Sequence, residues 1–284
     1  MNNFISWLGK NKLIATLLAI ALYFCIVTFH DEVTTLAIKI RNILGRDTYN
    51  AYLAYAFLVL LIIYAIFLFY QSISGRQKYL KLILSVIVTA LTIVAFRLLM
   101  VYNIEAIHFV EYMLVAIILI PVLRSYGETV FWVTILGILD ELFQYRFLTP
   151  DFEYFDFNDC MLNLIGAGSG AVMIYITAGD VIDIRRRKWY KSPAILTGIS
   201  LLAVFIILLI TGKMTIAPVG IPGSENWFSL NRASMPDEFW KEAYPGRKFH
   251  VLRPFEAIIL YYVLFASFFL LDFVSQARFP LARE

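Results

Sequence analysis

Ionisable and amide side chains interrupt three very apolar stretches between Arg97 and Gly170. A charge at membrane depth costs roughly 2.5 kcal/mol or more, so such groups usually face one another or a wet cavity. Interhelical hydrogen bonds in membranes contribute only about 0.6 kcal/mol each on average, which makes stability alone a poor reason to keep these groups. We interpret them as a candidate functional site rather than as a polar network that only ties helices together. They are Arg97, His108, Glu111, Tyr112, Asp140, Glu141, Gln144, Asp159 and Asn163.

A histidine among carboxylates allows acid–base chemistry. Such a group can relay protons or act as general acid and base. The same side chains could ligate a metal, but no spacing of the HExxH type fixes the identity of an ion, so we assign neither a metal nor a cofactor. The candidate catalytic residues are His108, Glu111, Glu141 and Asp159.

The other side chains of the group suit ligand binding. Arg97 could pair with a carboxylate or hold a substrate phosphate in a bidentate manner. Gln144 and Asn163 would hydrogen-bond a sugar or a head group. Tyr112 alone is ambiguous between a ligand contact and a structural role, and so is Arg146. The candidate ligand-binding residues are Arg97, Tyr112, Asp140, Gln144 and Asn163.

Spacing within each stretch places the polar residues on common helix faces. His108 precedes Glu111 by three positions, and Asp159 precedes Asn163 by four, as neighbours on one face of a helix do. Asn163, Gly166 and Gly170 continue such a face. The GxxxG pair of glycines lets another helix approach closely, and we expect it to serve packing inside the bundle.

Composition defines the class of protein that must position these residues. Of 284 residues, 61% are hydrophobic and 16% charged, whereas soluble domains have about 45–50% apolar and about 25% charged residues. The chain is predicted to be an all-α, polytopic transmembrane helix bundle. The net charge of +3 gives no reason to expect a nucleic-acid partner, and membrane lipids are the expected partners.

A helix needs about 20 apolar residues to cross roughly 30 Å of hydrocarbon. On that basis the sequence divides into two N-terminal helices with an interfacial segment at 30–50 (residues 1–79), a four-helix core (80–180), and two C-terminal helices with the loop 212–254 (181–284). The predicted spans are 13–29, 51–70, 80–101, 107–123, 130–148, 159–178, 193–211 and 255–274.

Basic residues beside the spans predict both chain ends on the cytoplasmic side, with the run Arg185–Lys188 as a cytoplasmic anchor. The span 13–29 resembles a signal peptide but lacks a small-residue cleavage site, so we expect an uncleaved first helix. In this orientation all the candidate site residues lie in the outer half of the membrane. The loop 149–158 is acidic, and the loop 212–254 is either a lid over the site or an ordered cap at the membrane interface.

Three elements, in their order along the chain, resemble the VanZ-like family of bacterial membrane proteins. They are His108-Phe109-x-Glu111-Tyr112, then Asp140-Glu141-x-x-Gln144, then Asp159-x-x-x-Asn163-x-x-Gly166-x-x-x-Gly170. The resemblance covers about residues 80–180, and the chain lacks the Pro-x-Arg that the family often carries between the Gln and the Asp. It implies a multi-pass protein of the bacterial cell membrane, connected with glycopeptide (teicoplanin) resistance.

The sequence leaves three classes of function open. The preferred hypothesis is an outer-leaflet site that binds an envelope lipid or a lipid-linked glycan, with or without modifying it. A transporter of protons, a cation or a lipid would need polar residues through the whole membrane, and the inner halves of the predicted core helices are almost purely apolar. A non-catalytic scaffold or resistance accessory would have another membrane protein as its ligand.

Overall fold

A computed structural model of the protein describes residues 2–73, 77–144, 147, 155–185, 187–215, 228–229 and 239–276. These residues form an all-α bundle, as predicted, with short 3₁₀ helices at Asn103–Ala106 and Trp189–Lys191. The α-helices are α1 (Asn2–Lys10), α2 (Lys12–Leu44), α3 (Arg46–Ser72), α4 (Lys78–Leu98), α5 (Ile107–Leu123), α6 (Tyr126–Phe143), α7 (Phe157–Ala178), α8 (Pro193–Ile210) and α9 (Pro254–Gln276).

Seven of these helices are long and apolar enough to cross a membrane, which agrees with a multi-pass membrane protein. The predicted span that is not among these seven is 130–148, which corresponds to α6; the 18 residues of α6 include three carboxylic acids, Glu128, Asp140 and Glu141. All three carboxylates are buried within the bundle. Glu128 accepts a hydrogen bond from Arg187 at 2.9 Å. Neighbouring helices, rather than lipid, therefore surround the polar residues of α6.

The N-terminal region differs from the prediction. The span 13–29 and the interfacial segment 30–50 are not separate elements, because α2 continues for 33 residues to Leu44. At about 1.5 Å per residue such a helix is about 50 Å long. No glycine or proline interrupts the sequence from Lys12 to Leu44. The helix ends at Gly45, whose φ of +79° is in the left-handed region that glycine favours.

Contacts at the helix ends show that α4 and α7 run in opposite directions. Asn158, at the start of α7, donates to the carbonyl oxygen of Leu99 at 2.8 Å. Tyr175, near the end of α7, donates to Gln77 at 2.7 Å, just before α4 begins. The helices α4 and α6 finish at the end of the bundle where α5 and α7 begin, which we call the cavity end. The opposite end, which we call the basic end, carries Arg124, Arg185, Arg187, Lys188 and Lys191.

The two termini of the described chain lie at the basic end. In α1, a Cβ added at Gly9 would be 3.7 Å from the side chain of Pro121, near the end of α5. At the end of α9, the side chain of Gln276 donates to the carbonyl oxygen of Arg185 at 3.3 Å. Both ends of the described chain are thus on one side of the bundle.

The helix α7 occupies the centre of the bundle, and nearly all of its residues are buried. A Cβ at Gly166 would lie 2.8 Å from the carbonyl oxygen of Phe109, and one at Gly170 would lie 2.6 Å from that of Met113. These distances are too short for a side chain, so both glycines allow α7 to contact the backbone of α5. The two helices run parallel, and each therefore contributes its first turn to the cavity end.

Asp272 joins α9 to the first turn of α6. Its Oδ1 accepts a hydrogen bond from the backbone N–H of Tyr126 at 2.6 Å. Its Oδ2 accepts from the N–H of Gly127 at 3.0 Å and from the Ser125 hydroxyl at 2.6 Å. Backbone N–H groups in the first turn of a helix lack intrahelical partners, and a carboxylate there also interacts favourably with the helix dipole.

The described part of the connection 212–254 forms short strands at the cavity end. Met214–Thr215 pairs in parallel with Phe228–Ser229, and Lys241–Tyr244 pairs antiparallel with Arg247–Phe249. Arg247 donates to the carbonyl oxygen of Met100 at 2.8 Å, so this hairpin contacts the chain just after α4. The predicted lid or cap therefore contains β-structure, and its residues 216–227 and 230–238 lie outside the described part.

Candidate functional site

A cavity of about 360 Å³ opens at the cavity end, between α2, the start of α5, the end of α6 and the start of α7. Five candidate residues from three different helices line it, although they are far apart in sequence. The antiparallel order of the helices and the shared end of α5 and α7 bring them together. These residues are His108, Glu111, Glu141, Gln144 and Asp159.

His108, Glu141 and Asp159 form the centre of the site. One side-chain atom from each residue, a histidine nitrogen or a carboxylate oxygen, lies within 4.8 Å of the other two. His108 is on the first turn of α5, Glu141 on the last turn of α6 and Asp159 on the first turn of α7. Glu111 is adjacent, with its Oε2 3.9 Å from Nδ1 of His108.

Asn163 forms the floor beneath these side chains. It is fully buried, one turn further along α7 than Asp159. Its amide faces both His108 and Glu141. A Cβ added at Gly137 would lie 2.8 Å from Asn163, so the glycine in α6 leaves the space that the amide occupies. Asn163 therefore supports the central group and does not line the cavity.

Tyr112 and Asp140 are also below the cavity. The Tyr112 hydroxyl donates to Oδ2 of Asp140 at 2.9 Å, and both side chains are fully buried. This hydrogen bond joins α5 to α6, with Tyr112 one turn beyond His108 and Asp140 directly before Glu141. The two residues, for which a ligand-binding role was predicted, are hydrogen-bonded to each other and lie outside the lining of the cavity.

Arg97 is not part of this group. It lies beside Arg247 and Lys248 at the edge of the hairpin, in a separate depression. The buried face of α4 passes through Val88, Thr92 and Ala95. Arg97 is two residues beyond Ala95, about 200° around the helix, which directs it away from the core. The structure therefore does not bring Arg97 together with the acidic residues.

One histidine and two carboxylic acids that line the cavity were not selected from the sequence. His30, in the middle of α2, has its ring centroid 6.2 Å from that of His108. Glu105 accepts hydrogen bonds from the N–H groups of Val101 and Tyr102, and Asp156 accepts one from the N–H of Asn158. The polar triplet 30–32 within the long apolar helix α2 was a signal that could have identified His30. Of the acidic loop 149–158, residues 149–154 lie outside the described part, as does Arg146.

The cavity is strongly acidic. Among the described residues, its lining contains Glu105, Glu111, Glu141, Asp156 and Asp159 but neither lysine nor arginine. Two buried atoms at its centre, Nδ1 of His108 and Oε1 of Glu141, have no hydrogen-bond partner. A buried polar atom without a partner costs about 1–3 kcal/mol. Both the charge and these atoms favour a site for a cationic or hydrogen-bonding ligand.

An apolar groove of about 400 Å³ lies on the other side of α6, between α6, α8 and α9. Its lining is apolar except for two tyrosine hydroxyls, which donate to backbone carbonyl oxygens. Tyr261 donates to Phe157 at 3.2 Å, and Tyr262 donates to Gly198 at 2.8 Å. The groove therefore presents hydrocarbon to a ligand.

Residues 155–157 separate the groove from the cavity. Phe155 and Phe157 line the groove, whereas Asp156 between them lines the cavity. A polar pocket and an apolar groove thus share one wall at the cavity end of the bundle. No protein-family model, curated protein or solved structure matches this chain.

Proposed function

We propose that this multi-pass membrane protein binds an amphipathic membrane lipid, or a lipid-linked glycan, at the cavity end. The polar head group would occupy the acidic cavity, and the hydrocarbon chain would lie along the apolar groove. The single observation that carries this proposal is the shared wall at Phe155, Asp156 and Phe157, which divides a polar pocket from an apolar groove. A ligand with one polar and one apolar part matches both surfaces.

The volumes of the cavity and the groove agree with a ligand that has one polar and one apolar part. Small-molecule pockets usually have volumes of about 300–1,000 Å³. A cavity of about 360 Å³ accommodates a head group or a sugar but not a whole lipid. The groove is bordered by α8, whose apolar residues are largely exposed on the surface of the bundle. A lipid chain could therefore enter the groove laterally from the bilayer.

The residues at the cavity have distinct proposed roles. Glu111 and Gln144 would hydrogen-bond hydroxyl, amine or amide groups of the head group. His108 with Glu141 or Asp159 would move protons if the head group is modified, because histidine and carboxylates are the usual general acids and bases. The phosphate contact expected of Arg97 is not part of the proposal, since Arg97 lies outside the cavity.

The cellular setting remains a proposal based on the sequence. The VanZ-like elements support a place in the bacterial cell membrane, where the ligand would be an envelope lipid or a lipid-linked wall intermediate. In that setting the cavity would open to the outer leaflet, and reduced glycopeptide sensitivity would follow from the handling of such a ligand. Both ends of the described chain lie at the basic end, which supports a cytoplasmic location of the termini.

The test is the identity of the lipids that co-purify with the protein. We expect native mass spectrometry of the protein in mild detergent to reveal one lipid class at a higher fraction than in the surrounding membrane. Leu201 lines the groove on α8. The variant Leu201→Trp should reduce the bound fraction several-fold by filling the groove.

Ile199 provides the matched control, because it is on the same helix and exposed but does not line the groove. Ile199→Trp should retain the lipid at the wild-type level. Equal loss in both variants would show that a tryptophan on α8 disturbs the protein generally. Bound lipids in the same proportions as the bulk membrane would overturn the proposal.

A further inference from the structure

We propose that His108, Glu141 and Asp159 bind a divalent first-row transition-metal ion, for which Zn²⁺ is the best chemical match. This inference deepens the proposed function, because the ion would be the part of the cavity that contacts an anionic head group. It rests on the proposed function only for the identity of that ligand. The metal site itself depends on three side chains from three helices.

Geometry provides the first support. The three ligand atoms lie within 4.8 Å of one another. Tetrahedral ligands about 2.1 Å from a Zn²⁺ ion are roughly 3.4 Å apart. Rotation about the terminal side-chain bonds, with displacements of about 1 Å, would bring the three atoms around one ion. The backbones need not move, because all three residues are on helices that pack against one another.

The buried, unpartnered atoms provide an independent second support. His108 is 4% exposed and Glu141 is 5% exposed. Nδ1 of His108 and Oε1 of Glu141 have no hydrogen-bond partner. A metal ion would satisfy donor atoms that protein groups leave unsatisfied. Asn163, below them, faces both residues and could hold them in place, as groups around a metal site commonly do.

Charge also favours a cation. The lining of the cavity contains five carboxylic acids and two histidines, and among the described residues it contains neither lysine nor arginine. A buried carboxylate is normally paired or coordinates a metal. A divalent ion would neutralise Glu141 and Asp159 together. It would also make the cavity able to accept an anionic group, which these carboxylates alone would repel.

The mixed donor set selects the class of ion. One histidine nitrogen with two carboxylate oxygens is typical of zinc and related transition metals, whereas Mg²⁺ and Ca²⁺ prefer oxygen ligands alone. Three protein ligands leave at least one position open in a tetrahedral site. A phosphate oxygen of the head group could occupy that position, in the role that Arg97 was expected to have.

Metal content of the purified full-length protein tests the inference. We expect protein produced with added Zn²⁺ and purified in detergent to retain about one equivalent of a first-row transition metal per chain, measured by inductively coupled plasma mass spectrometry. Glu141→Gln and Asp159→Asn preserve side-chain shape but remove a charged ligand. Each variant should lower the affinity for Zn²⁺ at least about tenfold in chelator competition.

The control is Glu128→Gln, the same change at a buried carboxylate near the other end of α6. This variant should bind Zn²⁺ as the wild type does. Wild-type protein that retains only Mg²⁺ or Ca²⁺, or no stoichiometric metal after Zn²⁺ is supplied, would overturn the inference without any variant. Equal weakening in Glu128→Gln and Glu141→Gln would also overturn it.

The measurements of metal and of lipid can refute the two proposals independently of each other. A co-purifying lipid class that persists in metal-free protein would preserve the proposed function and remove the metal site. Stoichiometric zinc without an enriched lipid would preserve the metal site and remove the lipid proposal. Lipid binding that disappears after chelation and returns with Zn²⁺ would support both.

Discussion

At the scale of single residues, the candidate residues form two sets: some line the cavity, and others lie beneath it and support those side chains. His108, Glu141 and Asp159 meet at the cavity, whereas Tyr112 and Asp140 are hydrogen-bonded to each other below it. The spacing of three or four residues predicted the shared faces correctly, because that spacing is a property of the helix itself. Depth within the bundle depends on contacts between helices, so the sequence alone did not distinguish the lining from the support.

This division leads to a prediction for Tyr112→Phe. The change removes the hydroxyl that donates to Asp140 and leaves a buried carboxylate oxygen without its partner. We expect a loss of about 1 kcal/mol in the free energy of unfolding. Equilibrium unfolding in mixed detergent micelles would measure it, while Zn²⁺ affinity should change less than in Glu141→Gln.

Tyr55→Phe is the control, because Tyr55 is 67% exposed on α3. It should leave the free energy of unfolding at the wild-type value. An unchanged unfolding free energy in Tyr112→Phe would mean that the hydrogen bond to Asp140 has no net stabilising effect.

At the scale of helices, α7 determines how closely the elements of the site approach. Gly166 and Gly170 were predicted to serve packing inside the bundle, and in the structure they contact backbone carbonyl oxygens of α5. The pattern of small residues therefore identified the contact face of α7. It did not identify α5 as the partner, because any helix with an accessible backbone could fit the same face.

The corresponding prediction concerns Gly170→Ala. Its Cβ would lie 2.6 Å from the carbonyl oxygen of Met113, a backbone atom that cannot rotate away. We expect the variant to lower the free energy of unfolding by about 1–3 kcal/mol through overpacking. Thermal unfolding monitored by size-exclusion chromatography in detergent would give the direction, and micelle denaturation the magnitude.

Gly9→Ala is a suitable comparison within α1, since the nearest atom to its Cβ would be 3.7 Å away, an ordinary contact. This change should be neutral or should stabilise by up to about 1 kcal/mol, because alanine favours helices. A neutral result for Gly170→Ala would show that α5 and α7 can separate slightly without loss of stability.

The long helix α2 shows what hydropathy alone did not predict. The polar residues His30, Asp31 and Glu32 suggested the end of a span, yet the helix continues to Leu44. Polar side chains do not interrupt the backbone hydrogen bonds of a helix, so a change in hydropathy does not mark the end of the helix. His30 was consequently assigned to a connection rather than to the wall of the cavity.

At the scale of the whole molecule, hydropathy predicted the all-α class and the approximate position of each span. The antiparallel order of the helices explains why residues distant in sequence meet at the cavity end. The described part of the 212–254 connection contains short strands that hydropathy did not indicate. Strands of two to four residues are too short to leave a recognisable hydropathy pattern.

The orientation of the whole protein in the membrane can also be predicted. We expect the cavity end to face outward and the basic end to face the cytoplasm. In a background with Cys25→Ser and Cys160→Ala, Lys248→Cys on the hairpin should react with an impermeant maleimide in intact cells. Lys191→Cys, at the basic end, should react only after permeabilisation. The reverse pattern would place the cavity in the cytoplasmic leaflet.

The bond between Asp272 and the first turn of α6 also has a consequence for biosynthesis. Of the eight helices from α2 to α9, α6 alone is not among the seven whose length and composition suit a membrane span, and it carries three carboxylic acids. The carboxylate that caps it belongs to α9, which the ribosome completes more than 120 residues after α6. The helix that carries Glu141 thus acquires this partner only after α9 has been translated. The stable placement of α6 in the bundle therefore depends on a helix that is synthesised after all the helices that line the cavity.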